Sequence, residues 1–359
     1  MKIITIIGAR PQFVKAAILS HYIRLHNEQS LVQIEEHILH TGQHYDYNMS
    51  QIFFEEMGIP TPTWHLGCNS NVVEMRDAII PLIKGNADYI MVYGDTNSTL
   101  AGALAAEICE IPLIHIEAGL RSHNPAMLEE YNRIETDKRS SYLFCPTQTA
   151  VNNLLNEDIT QGVYHVGDVM YDATLFFAHQ AEKCSTILHK LDITSKKYYL
   201  ATIHRAQTTD KIENLANILR AFQQIPTPII LPLHPRTHKV IAGSSTLRSI
   251  VEQTPNLKII ESVSYLDMLL LEKYAALILT DSGGVQKEAY FHKTPCITMR
   301  EETEWVETID AGWNTLVGTD TTRILTAIDT QHKEKQQITE YGCGNAANSI
   351  IEILCRNEH

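Results

Sequence analysis

Three carboxylates stand where apolar runs of this chain end or where a helix can begin. Asp95 follows Ile90-Met-Val-Tyr-Gly94, Glu117 follows Pro112-Leu-Ile-His-Ile116, and Glu129 opens Glu129-Glu-Tyr-Asn-Arg133. A carboxylate at the end of a buried strand is costly unless it is paired or used, so Asp95 and Glu117 are candidate acids or bases. Glu129 and Glu130 also fit simple charge complementarity at a helix start, with Arg133 one turn later. Cations stand at similar places. Arg10 and Lys15 flank the start of a first helix in Gly8-Ala-Arg-Pro-Gln-Phe-Val-Lys15, where Pro11 suits the first turn. Arg10 offers a planar fork to a phosphate and Lys15 a point charge. His204-Arg205 and His234-Pro-Arg236 follow apolar runs further along. Taken singly, each cation is better read as half of an ion pair.

Residues 275–288, Ala-Ala-Leu-Ile-Leu-Thr-Asp-Ser-Gly-Gly-Val-Gln-Lys-Glu, are more specific. An apolar strand over 275–279 leads into Ser282, Gly283 and Gly284 at a helix start. There the backbone N–H groups and the positive end of the helix dipole face outward, and two residues without Cβ let a phosphate approach. Glu288, one turn beyond Gly284, can accept from ribose hydroxyls. The stretch reads as a nucleoside-diphosphate site, although ordinary strand-to-helix turns also carry glycine.

Carboxylates beside such a clamp suit reactions at a sugar carbon. If UDP leaves C1 of a nucleotide sugar, Arg10, His204 and the Ser282 helix end can meet the developing charge. The C2 proton then becomes acidic enough for a carboxylate base, and its return to the opposite face inverts C2. No redox or metal cofactor is implied. A dinucleotide fingerprint would need glycines at positions 10 and 13. The histidine pairs 40/44 and 234/238 are interrupted by Gly42 and Pro235, and read as polar loop or cleft residues.

These residues require strands and helices in alternation. Apolar runs recur at 2–8, 36–41, 87–93, 112–117, 142–146 and 163–166, then at 198–203, 228–233, 257–261, 275–279 and 295–298, with a weaker run at 315–317. Helical candidates between them include 100–109, 149–155, 171–179 and 215–223. Strands this apolar, separated by helices, indicate parallel sheets covered on both faces. The fold class is therefore α/β, with two facing, doubly wound, Rossmann-like domains over 1–168 and 169–344. The last helix, in 345–359, is expected to pack back on the first domain. Eight polar strand tips from two domains describe one interdomain cleft.

Bulk properties narrow the partners. The chain has 359 residues, 44% of them apolar, which is ordinary for a globular protein of two domains. A net charge of −13 argues against nucleic acid or an anionic membrane as partner. Seven scattered cysteines without Cys-x-x-Cys suggest reduced thiols in the cytoplasm. No apolar run approaches a membrane span, and the N-terminus reads as a buried strand, since Gly8 and Arg10 come too soon for a signal peptide.

Gly8-Ala-Arg-Pro-Gln, Gly94-Asp-Thr, Glu117-Ala-Gly-Leu-Arg, Glu129-Glu-Tyr-Asn-Arg, His204-Arg, Asp281-Ser-Gly-Gly-Val-Gln-Lys-Glu288 and Tyr341-Gly-Cys-Gly occur in this order. Together they resemble the non-hydrolysing UDP-N-acetylglucosamine 2-epimerase family over nearly the whole chain. The resemblance implies a GT-B fold, a UDP-sugar substrate, a homodimer, and no metal or redox cofactor. It implies exchange of gluco and manno configurations at C2 through anti-elimination of UDP and its re-addition, serving surface polysaccharide precursors. By position, Asp95, Glu117 and Glu129 match the acid/base carboxylates. Arg10, His204, Ser282, Gly283 and Gly284 match the diphosphate clamp, with His204 also a catalytic candidate, and Glu288 matches the ribose contact. Lys15, Arg133, Arg205 and His234 complete the expected substrate-binding set.

Some positions depart from the family pattern. Gln12 stands where glutamate is common, and Trp305-Val306 where Arg-Pro is common; with the short 121–129 loop these resemble the UDP-2,3-diacetamido-2,3-dideoxyglucuronate 2-epimerase branch. Gln43-His44-Tyr45-Asp46 replaces a Gln-His-Arg-Gln-type segment of an allosteric substrate site, which argues against activation by substrate. Ala206-Gln207-Thr208 stands where Ala-Glu-Asn is frequent. Cys343 takes the place of an aspartate before the last helix, where it is expected to weaken the cap or the turn. Three other functions remain open on the residues alone. A hydrolysing epimerase would release free sugar, a GT-B glycosyltransferase would need an acceptor, and a UDP-sugar sensor would bind without turnover.

Overall fold

The computed structural model describes residues 1–43, 51–68, 71–331 and 334–356. Two compact units emerge: Met1–Phe176 with Thr339–His359, and Phe177–Ile338. The first unit runs β1 (Lys2–Ile7), α1 (Arg10–Gln29), β2 (Glu35–His40), α2 (Gln51–Met57), β3 (Trp64–His65), α3 (Val72–Ile83), β4 (Tyr89–Tyr93), α4 (Asn97–Ile108), β5 (Leu113–Ile116), α5 (Leu128–Asp137), β6 (Tyr142–Cys145), α6 (Gln148–Asn156) and β7 (Val163–His165). Helix α7 (Val169–Cys184) leads out of it. Then follow α8 (Ile187–Lys190), β8 (Tyr199–Thr202), α9 (Ala206–Thr209), α10 (Ile212–Gln224), β9 (Ile229–Pro232), α11 (Pro235–Gly243), α12 (Ser245–Glu252), β10 (Leu257–Ile260), α13 (Tyr265–Tyr274), β11 (Leu277–Thr280), α14 (Gly283–Phe291), β12 (Cys296–Thr298), α15 (Val306–Asp310), β13 (Asn314–Leu316), α16 (Thr321–Thr330) and α17 (Ala346–Arg356).

The first sheet has seven strands in the order β3-β2-β1-β4-β5-β6-β7, the second six in the order β10-β9-β8-β11-β12-β13. Neighbouring strands pair in parallel throughout, as in β1 with β4, β4 with β5, and β11 with β8. Each unit is thus a Rossmann-like, doubly wound sheet. The central strands are β-branched or apolar on both faces because helices cover both; Ile3, Ile4, Ile6 and Ile7 of β1 are all fully buried.

Helix starts are fixed by side chains close at hand. Thr96 caps α4 by accepting from Thr99 N, and Ser264 caps α13 by accepting from Asp267 N. Helix α1 begins after Ala9, whose side chain cannot cap it, although its carbonyl accepts from Gln12 N at 2.9 Å. Gln12 satisfies the amides just before the helix: its Oε1 accepts from the amides of Gly8 and Ala9 at 2.8 and 3.0 Å, and its Nε2 donates to Tyr93 O and Thr99 Oγ1.

The chain passes from one compact unit to the other inside α7, at 176/177, and back at 338/339, whereas the sequence suggests borders at 168 and 344. Hydrogen bonds explain the difference. Asp168 N donates to Tyr341 O at 3.0 Å, and His165 Nε2 contacts Glu340 O at 2.9 Å. Asp172 of α7 accepts from Ala347 N at 2.8 Å and so caps α17 from outside. Helix α17 packs on α1 within the first unit. The cap therefore lies far back in the chain at Asp172, and Cys343 does not carry it. Strand β3, only two residues long, has no counterpart among the expected runs.

Candidate functional site

In the first sheet β1 lies between β2 and β4, so strand order reverses there; in the second, β8 lies between β9 and β11. Open α/β sheets hold ligands beyond the carboxyl ends of strands at such reversals. Beyond β1 come Gly8, Ala9 and Arg10, and beyond β4 come Gly94 and Asp95. Beyond β8 come His204 and Arg205, and beyond β11 come Asp281, Ser282, Gly283 and Gly284.

In the first unit Lys15 of α1 donates to Glu117 Oε1 at 2.6 Å, the two side chains being 7% and 13% exposed. Glu117 has φ +70°, a left-handed backbone that is unfavourable for a residue with a Cβ. It is held there because the amides of Glu117 and Ala118 both donate to Phe144 O at 3.1 Å. Gly94, with φ +61°, turns the chain beside this pair: a Cβ there would lie 3.4 Å from Glu117 Oε1 and 3.5 Å from Lys15 Nζ.

Asp95 Oδ2 accepts from Arg133 Nη2 at 2.6 Å, and Arg133 Nη1 donates to Glu130 Oε2 at 2.8 Å. Glu130 also accepts from the amide and hydroxyl of Ser122 at 2.8 and 2.9 Å and from the amide of His123 at 2.9 Å. Burial alone would raise the Glu130 carboxyl. The Ser122 and His123 donors and the Arg133 charge outweigh burial and hold it below the usual range. Glu129, one residue earlier, is exposed in the first turn of α5, on the helix face that Arg133 occupies one turn later. Arg10 is the first residue of α1 and partly exposed.

In the second unit the buried Asp281 organises the loop after β8. Its carboxylate accepts from His204 N at 3.0 and 3.1 Å and from Arg205 N at 3.0 Å. The His204 and His234 rings lie 5.3 Å apart, and His234 Nδ1 accepts from Arg236 N to cap α11. Ser282 is the N-cap residue of α14 yet makes no side-chain capping bond. Arg205 reaches this helix end: a Cβ on Gly283 would lie 3.4 Å from its Nη2. Arg300 pairs with Glu304 at 3.2 Å. Burial pushes the Glu304 carboxyl up, but the charges of Arg300 and Arg205 and the local hydrogen bonds prevail and lower it. Glu288 is buried, with Oε1 accepting from Tyr265 OH at 3.0 Å.

The first unit thus brings Lys15 to Glu117 and Asp95 to Arg133; the second brings His204, Arg205 and His234 around Asp281 and the Ser282–Gly284 helix end. Lys15, expected to face a phosphate, is engaged by Glu117, and Arg133, expected to face substrate, is engaged by Asp95 and Glu130. Glu129 shares only a helix face with Arg133. Arg300 and Glu304 form one of the eight polar strand tips expected from the sequence, whereas sequence reasoning missed Tyr265 and the Lys287 ammonium 3.9 Å over the Trp305 ring. It also passed over His115, which lies in β5 two residues before Glu117. His44, Tyr45 and Asp46 lie outside the described residues. Among the described residues no group of three or more His, Cys, Asp or Glu side chains gathers as a metal site, and no helix is long and apolar enough to cross a membrane.

The family model described as UDP-N-acetylglucosamine 2-epimerase matches residues 26–355. A UDP-N-acetylglucosamine 2-epimerase homolog of Methanococcus maripaludis is 49% identical over 99% of each chain. The UDP-2,3-diacetamido-2,3-dideoxy-D-glucuronate 2-epimerase of Pseudomonas aeruginosa is 44% identical over 99% of this chain and 100% of its own. The crystal structure of Methanocaldococcus jannaschii UDP-GlcNAc 2-epimerase in complex with UDP-GlcNAc and UDP is similar at TM-score 0.87 and 40% identity, covering 99% of this chain and 100% of that one.

Proposed function

This chain belongs to the UDP-N-acetylglucosamine 2-epimerase family, and on that premise we propose that it inverts C2 of a UDP-2-acetamido sugar without net hydrolysis. It is an isomerase. A base takes the C2 proton, the C2–H electrons form the C1–C2 double bond, and the C1–O electrons leave with UDP. UDP then re-adds to C1 of the 2-acetamidoglucal while a proton reaches the opposite face of C2. Asp95, Glu117 and Glu129 are the acid/base groups of this scheme, with Lys15 orienting Glu117 and Arg133 orienting Asp95. Arg10, His204, Arg205, His234 and the α14 amides at Ser282–Gly284 meet the diphosphate charge, and Glu288 accepts from ribose.

The observation that carries the reading is the same placement in both sheets. Arg10 and Asp95 follow the strands at one reversal of strand order, with Glu117 after the adjoining β5, and cations and a helix end without a side-chain cap follow those at the other. The homodimer and the cytoplasmic location belong to the same proposal, and light scattering tests the first. The test of function is incubation in deuterated water with UDP-N-acetylglucosamine and, separately, with its 2,3-diacetamido-glucuronate analogue, followed by proton NMR. Label at C2 with the UDP linkage retained is expected, and the faster of the two substrates fixes the C3 and C6 substituents. Accumulation of free sugar and UDP would overturn the non-hydrolysing reading.

A further inference from the structure

Behind the strand ends of the first unit runs a buried hydrogen-bond chain that the scheme above leaves unused. His115 of β5 is wholly buried, with Nε2 2.8 Å from Gly94 O and Nδ1 2.7 Å from Asp137 Oδ1. Asp137 Oδ2 accepts from Gly119 N at 3.1 Å and from Arg121 Nη1 at 2.8 Å. Arg121 continues to both oxygens of Glu157, at 2.7 and 2.8 Å.

Each attachment point lies next to a proposed acid/base group. Gly94 O belongs to the peptide bond that enters Asp95. Gly119 closes the turn that carries Glu117. Asp137 is the last residue of α5, whose first turn carries Glu129 and whose Arg133 grips Asp95. One imidazole and one carboxylate therefore tie together the three segments from which the three carboxylates project. Both ring nitrogens of His115 face acceptors and both Asp137 oxygens face donors. Losing one link leaves a buried polar group unmatched, and the segments can then drift apart.

We propose that His115 and Asp137 are positioning residues: they set the spacing and aim of Asp95, Glu117 and Glu129 for proton transfer at the two faces of C2, without touching the sugar. The proposal rests on the acid/base assignment above. A proton removed from one face and returned to the other needs groups held to tenths of an ångström, and an error near 1 Å costs on the order of 100-fold.

The test uses His115→Asn, His115→Gln and Asp137→Asn in the full chain. The readouts are kcat and KM for epimerisation, deuterium entry at C2, calorimetric UDP binding and apparent Tm. Asparagine presents its amide near the position of Nδ1, and glutamine near that of Nε2, so His115→Gln keeps the hold on Gly94. In His115→Asn and Asp137→Asn, kcat and C2 exchange should fall about 10–100-fold, with KM and the UDP Kd within about twofold of the unmodified protein. His115→Gln should fall between them and the unmodified protein. Folded variants that keep kcat within about twofold would overturn the proposal. So would parallel losses of kcat, UDP affinity and Tm without recovery in His115→Gln, or failure of all three to fold, since either makes the chain of bonds a folding element only. Absence of C2 exchange in the unmodified protein is read first, and removes the proposed function itself.

Discussion

Helix α14 begins with two glycines that its own packing does not require, and Gly284→Ala tests why they are there. A Cβ on Gly284 meets nothing within 4 Å, and one on Gly283 meets Arg205 Nη2 at 3.4 Å, Glu304 Oε2 at 3.7 Å and Trp305 Nε1 at 3.7 Å, all ordinary contacts. Neither glycine has a left-handed φ. Alanine in a helix is favoured over glycine by about 0.5–1 kcal/mol, so the substitution should leave stability unchanged or raise it by up to that amount. On the proposed phosphate assignment, the new methyl group would stand in the path of a phosphate oxygen approaching the amides. Hydrogen bonds to a charged group are worth about 1.5–3 kcal/mol, so displacing them should weaken UDP binding roughly 10–150-fold. Calorimetry with UDP, beside thermal unfolding, reads both effects. Gly243→Ala is the control: its Cβ also meets nothing within 4 Å, and it ends α11, so UDP affinity should not move. A Gly284→Ala protein that gains stability and binds UDP within about twofold of the unmodified one would refute the phosphate assignment.

Asp95→Asn and Glu117→Gln should each lower kcat by roughly 100–10,000-fold while UDP binding is kept, as expected for loss of an acid or base; unchanged turnover in the folded variants removes the roles. Burial pushes the Asp172 carboxyl up from 3.8 to about 6, with the Ala347 and Ala346 amides offsetting part of the rise and Asp168 adding to it. Because the folded-state value lies above the unfolded one, its stabilising contribution is complete below the unfolded value and is lost as pH rises through about 6. Asp172→Asn should therefore gain on the unmodified protein between pH 4 and 7, by on the order of 3 kcal/mol in chemical denaturation. Glu130 has the opposite sign: its carboxyl is lowered, so its contribution is present above the ordinary glutamate value and is lost as pH falls through the lowered one. Glu130→Gln should cost about 1.5–3 kcal/mol near neutral pH and flatten that part of the acid limb, read by urea unfolding across pH.

The strands were legible because both faces of a parallel sheet are covered, so each one appears as an apolar run that stops at a polar residue. The same rule explains what escaped. Strand β3 has two residues, too few to form a run, and is defined only by pairing Trp64 and His65 with Leu39 and His40. Side-chain partners far apart in sequence leave no local trace. Lys15 next to Arg10 and Pro11 reads as a phosphate ligand, and only the fold brings Glu117 to its ammonium. The cap of α17 comes from Asp172, which no inspection of 341–345 reveals. Gln12 is fully engaged at the start of α1; its amide donates to Tyr93 O, which a carboxylate could not do.

The two strand-order reversals treat their polar groups in opposite ways, and the proposed chemistry asks for that difference. In the first unit the charged groups are matched to one another: Lys15 with Glu117, Arg133 with Asp95 and Glu130. Proton transfer depends on fixed distances, and matched partners fix them. The backbone of Glu117 carries a left-handed strain of about 1–3 kcal/mol that a glycine would not carry. A carboxylate kept at that cost, over a glycine at Gly94 that leaves it room, implies that the side chain itself is needed there. In the second unit the helix end at Ser282 lacks a side-chain cap, and glycines stand where alanine would suit the fold better. A departing diphosphate brings charge that must be met on arrival and released again. In the proposed scheme, amides uncapped by Ser282, with Arg205 beside them, would do this without first breaking a side-chain cap.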